Sequence, residues 1–232
     1  MTKTTNGIFG ALIILLMLSA CATPAPEPAP GPKPPRNLIG STDQLQLVTE
    51  LSLDQARQYG SEKLLVVMEI DQTLLKVANG EDNPGPCSPK YAGPVQPMQT
   101  DSPAQLQRIQ DAGIKMILMT SRPPDCWKKT AAQLHGAGFD PSLTSWPPGG
   151  YPDLFQLSEG AQPVRYADGV FYIDGQDKGE MLRALIEKSE APMPILILVL
   201  DSERKNLNSI MKAFSRQTTK THSWLYTRHD ES

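Results

Sequence analysis

Residues 64–73, Leu-Leu-Val-Val-Met-Glu-Ile-Asp-Gln-Thr, decide the fold of this chain. The first five are apolar, and a continuous apolar run of this length and composition is typical of a strand that is buried on both faces in a parallel sheet. Two acidic residues, Glu69 and Asp71, follow the apolar run at once. The stretch therefore predicts a buried parallel strand whose carboxyl end carries carboxylates.

Strands and helices alternate on the carboxyl-terminal side of this stretch. Further apolar or alternating runs predict strands at 114–119, 194–200 and 222–227. Helical spacing and capping predict helices over 41–60, 102–113, 124–134, 181–186 and 207–214, with Ser102 as the amino-terminal cap of the second. Together these elements predict a three-layer, Rossmann-like α/β domain with a mainly parallel sheet.

Three other segments complete the predicted domain. Two short alternating runs around Asp168-Gly169 predict a small β-hairpin over residues 164–173. Residues 79–103 are rich in Pro, Gly and Asn and predict a long loop, a length that is uncommon unless the loop is functional or pinned. Residues 139–163 show little pattern from which a helix or a strand could be predicted.

Polar residues follow each of the predicted buried strands. Ligands of open α/β sheets bind outside the carboxyl ends of the strands, so these residues are the candidates for a site. They are Glu69 and Asp71 after the first strand, Thr120 after the second, Asp201 after the third, and Lys178 at a helix start. Carboxylates, a hydroxyl and an ammonium group suit a Mg²⁺ ion and a phosphoryl group.

The order and spacing of these residues resemble the haloacid dehalogenase-like superfamily, whose first motif is Asp-x-Asp-x-Thr at the end of the first strand. The resemblance covers about residues 40–227. The most similar branch is a set of poorly characterised exported bacterial proteins, often lipoproteins, and the class C acid phosphatases are more distantly similar. The resemblance implies the fold predicted above, here without a large cap domain.

The resemblance also implies a role for each candidate residue. Glu69 stands at the position of the nucleophilic Asp, and Asp71 at the position of the general acid/base, whose backbone carbonyl is also a Mg²⁺ ligand. Thr120 matches the hydroxyl that holds the transferring phosphoryl group, and Lys178 matches the lysine that steadies nucleophile and phosphate. Asp201 matches an acidic metal ligand. The implied metal ligands are therefore Glu69, Asp71 and Asp201.

Two departures from the family pattern concern positions with implied catalytic or metal-binding roles. Glu69 has one more methylene group than Asp, and a misplacement of ~1 Å can cost ~10²-fold in rate. Ser202 stands where a second Asp is common, and the neighbouring Glu203 could replace it. Two functions follow as alternatives. One is a Mg²⁺-dependent phosphomonoester hydrolase, and the other is a catalytically degenerate domain that binds a phosphorylated ligand or an envelope partner.

Each of these residues also has an ordinary structural interpretation. A single acidic residue after a strand is more often a helix cap or a solvated loop residue than a catalyst. Thr120 could cap the following helix, and Lys178 could lie in solvent. Their joint placement at one predicted edge favours a site.

The amino terminus predicts export. Lys3 precedes an apolar run over 8–18, which is too short to span ~30 Å of hydrocarbon comfortably. Leu18-Ser19-Ala20-Cys21 resembles a bacterial lipobox, which implies a signal peptide over 1–20 and acylation of Cys21. The alternatives are an ordinary signal peptide and an uncleaved membrane anchor.

A proline-rich tether follows the predicted lipid anchor. Seven prolines lie between residues 24 and 35, and this composition favours an extended polyproline II segment over 21–36. The folded domain then occupies 37–232. Ala22 resembles the residue that follows the cysteine in lipoproteins of the Gram-negative outer membrane, so we expect a domain anchored to the membrane at its periplasmic face.

Cysteine and charge counts agree with this location. Lipidation of Cys21 leaves Cys87 and Cys126, which can form a disulfide in an oxidising compartment or remain two free thiols. The bond would close a loop of roughly 40 residues, worth about 3–4 kcal/mol. The net charge of −3 offers no basic surface that would indicate nucleic-acid binding.

Overall fold

The computed structural model describes residues 34–78, 94–147 and 151–228. The predicted signal peptide, the lipidation site Cys21, most of the tether and Cys87 lie outside these residues. The strands are β1 Leu38–Thr42, β2 Leu64–Glu69, β3 Leu75–Val77, β4 Val95–Pro97, β5 Lys115–Thr120, β6 Tyr151–Phe155, β7 Val164–Ala167, β8 Val170–Tyr172, β9 Leu196–Asp201 and β10 Lys220–Tyr226. The helices are α1 Leu45–Tyr59, α2 Ser102–Asp111, α3 Trp127–Gly136, α4 Lys178–Lys188 and α5 Arg204–Phe214.

Eight strands form one sheet in the order β1-β10-β9-β2-β5-β8-β7-β6. The six strands from β1 to β8 in that order are parallel, and β7 and β6 continue the sheet in antiparallel pairing. A separate antiparallel pair, β3 with β4, follows β2. The predicted α/β fold with a mainly parallel sheet is therefore confirmed, and the described residues contain no large helical cap.

The continuous apolar run of β2 is explained by burial on both faces of the sheet. Leu64, Val66 and Met68 pack into the cluster that also takes apolar residues from α1, α2 and α3. Leu65 and Val67 pack into the cluster that takes apolar residues from α4 and α5. Because successive side chains of a strand point to opposite faces, a strand between two helical layers needs apolar residues at every position.

The predicted hairpin over 164–173 is confirmed as β7 and β8. Asp168 and Gly169 both have positive φ, 50° and 77°, as a two-residue turn that matches strand twist requires. A Cβ at Gly169 would lie 2.2 Å from the carbonyl oxygen of Pro141. The glycine is therefore needed for both its backbone conformation and its close packing.

Four strands were not predicted from the sequence, and the starts of α1 and α2 also differ from the expectation. β1 and β6 are edge strands, β3 pairs with β4, and β4 lies inside the predicted loop of 79–103. Helix α1 begins at Leu45, because Ser41 belongs to β1. Ser102 is the first residue of α2 and not its cap, which is Asp101. An edge strand packs beside one neighbouring strand only. Its sequence therefore shows less of the alternation of apolar and polar residues that predicts a strand.

No helix among the described residues has the length and apolar character that crossing a membrane requires.

Candidate functional site

Three adjacent parallel strands bring the predicted polar residues to one edge of the sheet. β2 lies between β9 and β5, and the register pairs Met68 with Leu200 and Glu69 with Met119. Asp201 and Thr120 are the next residues after these partners. The carboxyl ends of all three strands therefore lie side by side, which is where an open α/β sheet binds its ligands.

The centre of the site is a buried lysine between two carboxylates. Lys178 Nζ forms an ion pair with Glu69 Oε2 and lies 2.6 Å from Asp201 Oδ2. The side chains of Lys178 and Asp201 are each 2 % exposed, and that of Glu69 is 8 % exposed. Lys178 begins α4, whose cap Asp177 accepts a hydrogen bond from the N–H of Glu180 at 2.9 Å. The position of the lysine is thus set by a capped helix start.

Asp201 is held in place by donors from its own strand end and from α5. Its Oδ1 accepts hydrogen bonds from the backbone N–H of Glu203 at 2.8 Å and from Asn206 Nδ2 at 3.0 Å. With Lys178 on Oδ2, both carboxylate oxygens have partners. A buried carboxylate needs these partners because burial of an unpaired charge is costly.

Glu69 is bonded through both of its carboxylate oxygens. Oε2 pairs with Lys178, and Oε1 accepts from the backbone N–H groups of Ile70 at 3.0 Å and Asp71 at 3.4 Å. The turn that follows is tight, because the carbonyl of Ile70 accepts from the N–H of both Leu74 and Leu75 at 2.9 Å. Two successive N–H groups at the end of β2 thus point at one anion.

Asp71 is held by an arginine. Arg122 donates to both Asp71 oxygens, from Nε to Oδ2 at 2.9 Å and from Nη2 to Oδ1 at 2.6 Å. Arg122 Nη1 donates to Thr130 Oγ1 at 2.8 Å and to Gln133 Oε1 at 2.7 Å, both on α3. This bidentate, charge-assisted contact fixes Asp71 against α3.

Thr120 is fully buried and lies between these groups. Its hydroxyl donates to Asp71 Oδ2 at 3.5 Å and accepts from the backbone N–H of Arg122 at 3.2 Å. The structure therefore brings Glu69, Asp71, Thr120, Lys178 and Asp201 together.

The two clusters of ion-paired side chains in the site differ in formal charge. Asp71 and Arg122 balance each other, whereas Lys178 faces both Glu69 and Asp201, so this cluster carries a formal charge of −1. Burial lowers the pKa of Lys178, and the Asp201 carboxylate opposes that shift. A cation at this edge would complete the charge balance.

The donor set suits Mg²⁺ better than a transition metal. The described residues contain no group of three or more His, Cys, Asp or Glu side chains that could hold a metal. Mg²⁺ needs fewer protein ligands, since it is commonly bound by one or two carboxylates, ligand phosphate and waters. Glu69 and Asp201 are the carboxylates that outnumber their cation, Lys178, and are therefore the candidates to hold it, whereas the charge of Asp71 is balanced by Arg122.

The other predicted positions lie beside the site or outside the described residues. Ser202 is partly buried, and the Glu203 side chain pairs with Lys205 at 2.7 Å on the surface and so does not join the lysine cluster. Cys126 is disulfide-bonded, and Cys21 and Cys87 lie outside the described residues. The pairing of Cys126 with Cys87 remains a prediction.

Two residues of the site were not predicted as members of it. Arg122 lies two positions after Thr120, where its charge could have indicated a partner for one of the carboxylates. Asn206 lies in the first turn of α5, and nothing in the local sequence distinguishes it from a solvated helix residue.

A family model described as "Protein of unknown function (DUF2608)" matches residues 91–232, more than half of the chain. The match includes Thr120, Lys178 and Asp201 and begins after Glu69 and Asp71. No curated protein and no solved structure matches the chain significantly.

Proposed function

We propose that this chain, which belongs to the DUF2608 family of proteins of unknown function, binds the phosphoryl group of a phosphorylated small molecule at the carboxyl edge of its sheet without efficient hydrolysis. The observation that carries the proposal is the buried Lys178 at the meeting point of three strand ends. An ammonium group and converging backbone N–H groups are the donors that proteins use for phosphate.

The contacts of the two candidate catalytic carboxylates support binding over turnover. A general acid must pass a proton to the leaving group through a carboxyl oxygen, but Arg122 donates to both oxygens of Asp71. A nucleophile attacks through an oxygen lone pair, and the donors that contact both oxygens of Glu69 make those lone pairs less nucleophilic. These contacts therefore disfavour phosphoryl transfer.

Mg²⁺ is the cofactor that we propose for this site. When bound, it would supply positive charge that offsets the cluster charge of −1 and the charge of the phosphoryl group. Asp201 would hold it, together with Glu69 once that carboxylate has left the N–H groups of Ile70 and Asp71. The carbonyl of Asp71 is the third ligand that the family resemblance implies.

A second candidate function is Mg²⁺-dependent hydrolysis of phosphomonoesters. It is favoured by the juxtaposition of Glu69 with Lys178 and of Asp71 with the Thr120 hydroxyl, 3.5 Å from its carboxylate. In this candidate Glu69 is the nucleophile and Asp71 the general acid/base.

Binding and hydrolysis assays with phenyl phosphate distinguish the two candidate functions. Calorimetry with the full chain and Mg²⁺ should show binding that Lys178→Met abolishes and that Lys205→Met, a surface lysine, leaves unchanged. Under the first proposal wild type releases almost no phosphate, and Glu69→Asp raises the rate by ~10²-fold because it restores the shorter nucleophile. Mg²⁺-dependent release by wild type that Asp71→Asn abolishes would favour the hydrolase. Absence of binding by wild type would overturn the first proposal.

We also propose that the domain is tethered to the bacterial envelope through lipid on Cys21, at the periplasmic face of the outer membrane. The support is the sequence of residues 1–36. In cells, Cys21→Ala should move the protein from the membrane fraction to the soluble fraction. Unchanged partition would contradict the lipid anchor.

A further inference from the structure

We propose that the Glu69 carboxylate is an internal anion that occupies the position of the ligand's phosphoryl group, so that phosphate binds only when Glu69 turns aside. The inference rests on the proposed phosphate-binding function and deepens it. It makes Glu69 a residue that sets ligand affinity and not a nucleophile.

The first support is the convergence of donors on one carboxylate. The N–H groups of Ile70 and Asp71 both donate to Glu69 Oε1, and Lys178 pairs with Oε2. Successive backbone N–H groups that point at one anion form a concave binding site for that anion. An oxyanion that binds these three donors can be a carboxylate of the chain or a phosphate from solution.

The second support is the number of cations. Lys178 is already shared between Glu69 and Asp201, and the charge of Arg122 is balanced by Asp71. A phosphate that approached this edge with Glu69 in place would meet a cluster charge of −1. With Glu69 displaced, the charges of Lys178 and Asp201 balance each other, and the two N–H groups and the Lys178 ammonium group can all donate to the phosphate.

The third support is the position of Glu69 in the cluster. Besides its contact with Lys178, Asp201 accepts three hydrogen bonds from Glu203 and Asn206, whereas Glu69 accepts two from backbone N–H groups among the described residues, one of them 3.4 Å long. Glu69 is also the most exposed of the three charged side chains, at 8 % against 2 % for the others. Of the two carboxylates, Glu69 is therefore the one that can leave with the smaller loss of hydrogen bonds.

The test measures affinity for inorganic phosphate by calorimetry with the full chain in EDTA, which removes divalent cations from the comparison. Glu69→Ala removes the internal anion and should bind phosphate at least tenfold more tightly than wild type. Glu69→Gln keeps the size but not the charge and should give an intermediate gain. Glu180→Gln is the matched control, because Glu180 is an exposed acid two residues from Lys178 and touches none of the three donors.

The outcomes distinguish this inference from the proposed function. If Glu69→Ala is folded by its thermal transition and binds phosphate no more tightly than wild type, the internal-anion inference is overturned while phosphate binding by wild type stands. An equal gain in Glu180→Gln would also overturn it, because the gain would then be a general charge effect. If no variant binds phosphate or phenyl phosphate, with or without Mg²⁺, the proposed function itself fails.

Discussion

At the scale of single residues, the molecule depends on a few buried charges. Lys178 serves two carboxylates in a region where none of the three side chains is more than 8 % exposed. Such an arrangement is stable only while every charge has partners, because removing one partner leaves the others buried and uncompensated. The stability of the domain is therefore tied to the groups proposed to bind the ligand.

Replacement of Lys178 should show this dependence directly. Lys178→Met leaves Glu69 and Asp201 buried without their common cation, and we expect the free energy of unfolding to fall by about 3–5 kcal/mol. Urea unfolding measures the loss. Lys205→Met, which breaks an exposed ion pair with Glu203, should leave the free energy nearly unchanged. Equal losses in both variants would show that Lys178 is not part of a buried cluster.

Tyr226 provides a test of buried polar groups away from the site. Its hydroxyl is buried and has no hydrogen-bond partner among the described residues. Burial raises the pKa of Tyr226 from 10.0 to about 12. Between these values the folded chain keeps a proton that the unfolded chain has released, so the free energy of unfolding falls as pH rises from 10 to 12.

Tyr226→Phe should therefore reduce this loss of stability. At pH 7 the variant should be as stable as wild type or slightly more so, because it removes an unsatisfied hydroxyl. Urea unfolding at intervals between pH 7 and 12 gives the comparison. If wild type and variant lose the same free energy of unfolding above pH 10, the prediction that burial raises the pKa of Tyr226 is wrong.

At the scale of elements, the close approach of α4 and α5 places Lys178 in the site. Gly179 follows Lys178, and its N–H donates to Ser209 Oγ of α5 at 3.0 Å. A Cβ at this position would lie 2.3 Å from the Ser209 carbonyl oxygen. The two helices can pack at this distance only because residue 179 has no side chain.

Gly179→Ala should push α4 away from α5 and destabilise the domain by about 1–3 kcal/mol. Phenyl phosphate affinity should fall with it, because Lys178 moves with the start of α4. The matched variant is Gly136→Ala in α3, where a Cβ would meet nothing within 4 Å. That change should stabilise the domain by up to about 1 kcal/mol through helix propensity. In thermal unfolding, the melting temperatures of the two variants should shift in opposite directions from that of wild type. Shifts of the same sign would contradict the packing argument.

At the scale of the whole molecule, a disulfide ties the short helical turn before α3 to a distant part of the chain. Cys126 is 3 % exposed and disulfide-bonded, and we predict Cys87 as its partner. Such a bond would close residues 87–126, which include β4, α2 and β5, into a loop. It would thereby reduce the number of conformations open to the unfolded chain.

Reduction should therefore lower the stability of the protein. Cys126→Ser should lose about 3–4 kcal/mol of unfolding free energy in the chain-entropy account of a loop of roughly 40 residues. Dithiothreitol should destabilise wild type to the same extent and leave the variant unchanged. Peptide mapping of the oxidised chain identifies the partner, and a bridge to a cysteine other than Cys87 would contradict the predicted pairing.

The sequence by itself determined the elements whose signals are local. The apolar runs of β2, β5 and β9 and the Asp168-Gly169 turn predicted the sheet and its hairpin, because burial on two faces and a two-residue turn each demand particular residue types in a short span. It also predicted which carboxylates, hydroxyl and lysine meet at the strand ends, since parallel strands place those ends at one edge.

Tertiary structure alone decided the edge strands β1 and β6 and the partners of each charge. The pairing of Arg122 with Asp71 joins residues 51 positions apart, and Lys178 and Asp201 are 23 positions apart. Coulomb attraction and hydrogen bonding depend on distance in space and not along the chain, so sequence spacing does not reveal which cation serves which carboxylate. In the structure, donors contact both carboxylate oxygens of Glu69, Asp71 and Asp201.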